Sequence, residues 1–151
     1  MQQAGKYDKA ERLLHEAQEE NRKTDDTFRR RQAQANAAGW LARNFHLQKR
    51  YTEAEPLARE AVAYFETYQP NTPRYFYWMS QLGVVLAGRA KYAEAEPLLL
   101  QSYEGMNQRA FKLAMFDFRH MAEAGERIIW FYETTHQPEK ARMWRKKLES
   151  K

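Results

Sequence analysis

The stretch Lys91-Tyr92-Ala93-Glu94-Ala95-Glu96-Pro97-Leu98-Leu99 decides the fold, because recognisable copies of it occur three more times in the chain. The other copies are Lys6-Tyr7-Asp8-Lys9-Ala10-Glu11-Arg12-Leu13-Leu14, Arg50-Tyr51-Thr52-Glu53-Ala54-Glu55-Pro56-Leu57 and the fainter Gln137-Pro138-Glu139-Lys140-Ala141-Arg142. Their shared alanines are 44, 41 and 46 residues apart. A near-constant period of this length predicts a repeat architecture, with the small length changes in loops.

Each period contains two helical patterns. Within the copies the apolar residues recur at helical spacing, as in Ala54, Leu57, Ala58, Ala61, Val62 and Phe65. A second apolar pattern precedes the last three copies: Ala38, Leu41, Ala42 and Phe45, then Met79, Leu82, Gly83 and Leu86, then Gly125, Ile128, Ile129 and Tyr132. Two amphipathic helices joined by a short turn predict an antiparallel hairpin, and the repeated alanines allow close helix packing.

We therefore predict an all-α fold, a right-handed α-solenoid of antiparallel helix hairpins with about seven helices. A single domain spans residues 1–151, with an orphan helix at 7–22 and hairpins at about 27–67, 73–107 and 111–149. The orphan helix lacks a hairpin mate, so we expect an uncapped edge and possible homo-oligomer formation through it.

Composition limits the chemistry available to the chain. Its 151 residues are 43% apolar and 30% charged, which is typical of one folded domain. It has no cysteine, so no disulfide or thiolate nucleophile can form, and it contains no long apolar run or secretory signal. These features predict a soluble, cytoplasmic protein without a membrane segment. The net charge of +5 is concentrated in residues 134–151.

Three features of the repeats resemble tetratricopeptide repeats: the pair Leu82-Gly83, the aromatic Phe45, and Tyr-x-x-Ala at the start of the second helix. The string Tyr-x-Glu-Ala-Glu-Pro-Leu is similar to the kinesin-light-chain variety. Residues 90–151 are similar to the C-terminal repeats attached to many bacterial serine/threonine kinases, notably those of planctomycetes. These resemblances imply a bacterial, non-catalytic interaction module. As a departure, Gly39-Trp40 stands where the kinesin-light-chain type usually has Asn.

The sequence contains no phosphate-binding or kinase motif. Its four histidines do not show the i, i+4 spacing of helical metal ligands; they are His15, His46, His120 and His136. The pairs Glu53/Glu55 and Glu94/Glu96 recur with the repeat, which favours stabilisation of helix N-termini over acid–base catalysis. We therefore predict that the protein is not an enzyme, with no catalytic residue, no metal site and no cofactor.

The remaining candidate is a binding groove. The run Tyr75-Phe76-Tyr77-Trp78 places four rings on one helix, and they cannot all face the same core. Repeat register places seven side chains on the concave side, which is lined by the first helix of each hairpin: Asn36, Trp40, Arg43, Tyr77, Gln81, Arg127 and Trp130. Such a groove suits a partner peptide or protein with apolar anchors and an acid. In the competing interpretation these aromatic rings are simply core.

Two further functions remain open. The chain could be a structural or self-association segment of a larger repeat protein. It could also be a basic helical-repeat protein associated with nucleic acid, although acids and bases alternate along most of it. Steep loss of affinity with salt would identify the nucleic-acid binder, since phosphate contacts release counterions. A carboxylate clamp is disfavoured, because only Arg127 offers a suitable charge at the corresponding positions.

Overall fold

Seven helices form the described part of the computed structural model, which comprises residues 2–23, 27–109 and 116–150. They are α1 (Gln2–Arg22), α2 (Thr27–Leu47), α3 (Tyr51–Tyr68), α4 (Pro73–Gly88), α5 (Tyr92–Arg109), α6 (Phe116–Thr134) and α7 (Pro138–Glu149). Within these ranges there is no strand, and the chain is an all-helical α-solenoid. The start predicted for the last hairpin, at 111, lies outside the described residues. Among the helices searched, none is long and apolar enough to cross a membrane.

The turns that join α2 to α3, α4 to α5 and α6 to α7 share one geometry. Each contains a residue with positive φ: Lys49 (61°), Ala90 (58°) and His136 (58°). The following amide donates to a carbonyl five residues earlier: Arg50 to Phe45 at 2.9 Å, Lys91 to Leu86 at 2.9 Å and Gln137 to Tyr132 at 2.7 Å. This is the Schellman ending, which satisfies the last carbonyls of a helix. The repeat in sequence is therefore also a repeat in backbone conformation.

The core is centred on α4. All residues from Phe76 to Ala87 are buried, because α4 packs against α5 within its hairpin and also against α2, α3 and α6. A helix that is apolar around most of its circumference needs neighbours on all sides. Three of the four consecutive rings, those of Phe76, Tyr77 and Trp78, are accordingly buried, and Tyr75 is half-buried.

The repeated alanines lie at close helix contacts. Ala54 and Ala95 have no exposed surface, as predicted from their recurrence. Gly83 serves the same purpose on α4, since a Cβ added there would lie 2.8 Å from the Leu99 side chain of α5. Ala10 differs because it is only half-buried. The reason is that α1 packs chiefly against α2 alone, whereas α4 packs against four other helices.

We predict that Ala54→Leu destabilises the protein by about 1–3 kcal/mol, because the extra carbons overpack a fully buried helix contact. Urea denaturation measures the change. Ala63→Leu is the matched control, since Ala63 is exposed on the same helix. An unchanged midpoint and slope for Ala54→Leu would contradict the assigned packing.

The recurring glutamates have two different roles. Glu53 and Glu94 lie in the first turns of α3 and α5, as expected for stabilisation of helix N-termini. That expectation is wrong for the second member of each pair, since Glu55 and Glu96 instead reach the next hairpin. Their contacts, with the equivalent contact of Glu11, are Glu11–Arg50 at 3.1 Å, Glu55–Lys91 at 2.8 Å and Glu96–Lys140 at 3.3 Å.

Glu55 is the most buried of these carboxylates and accepts hydrogen bonds from Lys91, Arg59 and Arg89. Burial by itself raises its pKa, but the three cationic donors outweigh burial and lower the pKa of Glu55 to about 2. A depressed pKa in the folded state stabilises the protein above the unfolded-state pKa. That contribution is lost as the pH falls from about 4.5 towards about 2.

We predict that Glu55→Gln lowers the free energy of unfolding at pH 7 by up to about 3 kcal/mol. The deficit should shrink as the pH falls below about 4.5, where the unchanged chain loses the same contribution. Urea denaturation across a pH series tests both parts. Glu60→Gln is the control, because Glu60 is exposed on the same helix. A deficit that stays constant with pH would contradict the assigned ion pairs.

Candidate functional site

The seven side chains proposed for the groove lie on α2, α4 and α6. We call the side of α4 on which α2 and α6 side chains meet the inner face; it is defined by the contact of Arg43 on α2 with Glu123 on α6. The seven residues differ in exposure there. Trp40 is 40% exposed, and Asn36, Arg43 and Trp130 are half-buried. The buried members are Tyr77, Gln81 and Arg127.

One group of these residues surrounds a cavity of about 320 Å³, the Trp40 pocket, which is lined by Asn36, Trp40, Pro73, Arg74, Tyr77, Trp78 and His120. Its floor is aromatic. The Trp40 ring centroid lies 5.8 Å from that of Tyr77 and 5.2 Å from that of Trp78, edge-on to the latter. The pocket therefore presents one exposed indole ring supported by two buried rings.

Gly39 explains how this pocket forms. A Cβ at Gly39 would lie 2.7 Å from the six-membered ring of Trp78, so only glycine lets α2 approach α4 this closely. The approach places Trp78 beneath Trp40. The pair Gly39-Trp40, which departs from the kinesin-light-chain pattern, is thus the feature that shapes the pocket.

Four lining residues were not predicted from the sequence: Pro73, Arg74, Trp78 and His120. A signal existed for two of them. Arg74 precedes Tyr77 by three positions on α4, and His120 precedes Arg127 by seven on α6, so helical periodicity places each on the same face as a predicted residue. Their meeting across two helices needed the tertiary structure, which sets the His120 and Tyr77 ring centroids 4.2 Å apart.

A second group forms a polar network over the middle of α4. The Arg127 guanidinium donates to Ser80 Oγ at 3.0 Å, Gln81 Oε1 at 2.7 Å and Glu123 Oε1 at 2.8 Å. Arg43 donates to the same Glu123 oxygen at 3.3 Å. The guanidinium carbon of Arg127 also lies 5.3 Å from the Tyr77 ring centroid. The network thus ties α2, α4 and α6 together.

The network covers part of the face that was expected to contact a partner. Gln81 has no exposed surface because Arg127 lies over it, so direct contact of Gln81 with a ligand does not fit this arrangement. Burial lowers the pKa of the Arg127 guanidinium and raises that of the Tyr77 hydroxyl. Both residues support the face from within.

Trp130 belongs to a separate cavity of about 350 Å³, the Trp130 pocket, which is lined by His46, Leu47, Lys49, Tyr51, Val84, Glu123, Glu126, Arg127 and Trp130. Trp130 also packs against the main core. Burial, reinforced by the nearby charges of Arg127 and Arg43, lowers the pKa of His46 to about 4, so His46 is neutral at pH 7. The structure therefore does not bring Trp130 into one pocket with Trp40.

The side chains of the inner face are mainly aromatic and cationic. In the part of the chain that the structure describes, no cluster of three or more His, Asp or Glu side chains could hold a metal ion. The ionisable groups at the centre of the face are engaged with one another.

Comparison with known proteins agrees with the architecture. A family model described as "Tetratricopeptide repeat" matches residues 33–108, half of the chain, from within α2 to the end of α5. No curated protein matches the sequence at a significant level. The repeated hairpins, their identical turns and the matching family model lead to one conclusion: the chain belongs to the tetratricopeptide repeat family.

Proposed function

We propose that this protein is a non-catalytic module that binds a partner peptide or protein on its inner face. Tetratricopeptide repeats commonly mediate protein–protein interaction. The observation that carries the proposal is the Trp40 pocket, where an exposed indole ring sits on a buried aromatic floor. Aromatic and arginine side chains dominate the energetics of protein interfaces, and such a pocket suits an inserted anchor side chain.

The charges beside the pocket indicate the chemistry of the partner. Arg74 is exposed at its rim and forms no ion pair within the described residues. We therefore infer a segment that carries an apolar anchor for Trp40 and a carboxylate for Arg74. Asn36 supplies a polar contact on the same wall, and the Trp130 pocket offers room for a second anchor. The remaining groove residues stabilise the inner face through contacts with one another and with Glu123; they are Arg43, Tyr77, Gln81 and Arg127.

A displayed library of random peptides tests this function. We predict that peptides selected by the unchanged chain bind Trp40→Ala about 30-fold more weakly, corresponding to the loss of about 2 kcal/mol typical of an interface anchor. They should also shield Trp40 from iodide quenching. The control is Tyr68→Ala, which removes an exposed aromatic ring from α3, away from the pocket. Equal binding by Trp40→Ala, or selection of no peptide at all, would contradict the proposal.

Self-association is a second candidate, favoured by an apolar surface between α1 and α2. Leu13 is 53% and Leu47 is 45% exposed, and both line a cavity with Ala10, Leu14, Trp40, Arg43 and Asn44. Exposed apolar side chains that share one surface are typical of contact sites.

For this candidate we predict concentration-dependent association in light scattering, which Leu13→Glu abolishes by placing a charge on the apolar surface. Met143→Glu is the control, because Met143 is exposed on α7 at the other end of the chain. A chain that stays monomeric at every concentration would exclude this function and leave peptide binding unaffected.

Nucleic-acid binding has less support, because many of the cations are paired with carboxylates, as in Arg50–Glu53, Arg59–Glu94 and Arg145–Glu133. The likeness of residues 90–151 to repeats of bacterial kinases and the cytoplasmic location remain predictions. The absence of cysteine is compatible with a reducing compartment.

A further inference from the structure

The centre of the inner face is built like a site for an anion. Two guanidinium groups from different helices converge on one point: Arg127 on α6 and Arg43 on α2 both donate to Oε1 of Glu123, at 2.8 and 3.3 Å. Convergent arginines are the usual means by which proteins hold a carboxylate from a ligand. Here the carboxylate belongs to the chain itself.

The surroundings of this point remain rich in donors even with Glu123 in place. The two arginines bring two positive charges and Glu123 one negative charge. Gln81 Nε2 and Arg43 Nε are buried and have no hydrogen-bond partner among the described residues. The Arg127 side chain is only 9% exposed, so its charge depends on nearby carboxylate for compensation.

A ligand carboxylate could not join Glu123 at this point without cost. Both guanidinium groups already donate to Glu123 Oε1, so a ligand carboxylate can take that place only if the Glu123 side chain moves away from it. The other carboxylate oxygen of Glu123 lies 3.9 Å from His120 Nδ1. Because His120 lines the Trp40 pocket, a ligand acid that approaches from that pocket also meets the negative charge of Glu123.

We propose that Glu123 fills an anion subsite between Arg43 and Arg127 from within the chain, and thereby sets the specificity of the inner face against ligands that place an acid there. This inference rests on the proposed binding function for its biological meaning. The acid of a partner is directed instead to Arg74 at the rim, and the centre of the face separates the Trp40 pocket from the Trp130 pocket.

Glu123 could instead form a salt bridge that only stabilises the fold. Rescue of a Glu123 variant by a small carboxylate distinguishes an anion subsite from such a salt bridge. Glu123→Ala should lower the urea midpoint, and sodium formate should restore most of the loss with a saturable concentration dependence, because formate enters the vacated subsite. Sodium chloride at the same ionic strength and neutral formamide should restore little. Glu60→Ala is the control, since Glu60 is an exposed glutamate on α3 that lines neither the Trp40 pocket nor the Trp130 pocket.

Absence of formate-specific rescue would overturn the proposal. If Glu123→Ala does not fold, Glu123→Ser vacates the same subsite and keeps a polar group on α6. Its midpoint should then rise with formate more than with chloride, whereas that of the unchanged chain should not; equal responses would again overturn the proposal.

Peptide selection gives the second readout. Peptides selected by the Glu123→Ala or Glu123→Ser variant should contain one more acidic residue than those selected by the unchanged chain, and identical acid content would count against a role in specificity. Failure of both chains to select peptides would contradict the proposed binding function alone, because the formate measurement requires no partner.

Discussion

The burial of α4 on all sides is the constraint on which the rest of the structure depends. Twelve consecutive residues of α4, 76–87, have almost no access to solvent, because α2, α3, α5 and α6 all pack against this helix. Such enclosure is possible only where neighbouring helices come very close, which small residues allow. Gly83 admits α5 on one side, and Gly39 brings α2 against Trp78 on another. The inner face is a direct result of these approaches.

A helix enclosed so completely still carries polar side chains, and burial leaves the Ser80 and Gln81 oxygens dependent on a donor from a neighbouring helix. Ser80 and Gln81 face the inner side, where Arg127 supplies the donors and is itself balanced by Glu123. Burying an arginine costs free energy unless a counter-charge accompanies it. The network therefore links three hairpins through groups that specify one relative position of α2, α4 and α6, and it leaves aromatic pockets on either side.

The helices that carry the repeated glutamates, α1, α3 and α5, contact the next hairpin through a different interaction, an ion pair. A glutamate at the same repeat position reaches the following hairpin three times: Glu11, Glu55 and Glu96. Sequence recurrence correctly indicated a structural role for these carboxylates, but local reasoning assigned Glu55 and Glu96 to their own helix ends. The error arose because one helix viewed alone offers only its own N-terminus as a partner, whereas the cations Lys91 and Lys140 are brought near by stacking of the hairpins. Stacking is a tertiary property.

The sequence by itself determined the all-helical repeat architecture, the membership of the family and the burial of Ala54 and Ala95, because helical periodicity and a constant repeat length are local properties that survive any arrangement of the hairpins. It also placed Trp40 and Tyr77 on the same side of successive first helices. Only the tertiary structure decided how close those helices lie to one another. Their packing buried Gln81 beneath Arg127, separated Trp130 from Trp40, and placed His120 and Glu123 on the inner face. The physical reason is that interhelical distance depends on pairs such as Gly39 and Trp78, 39 residues apart, whose contact no local pattern reveals.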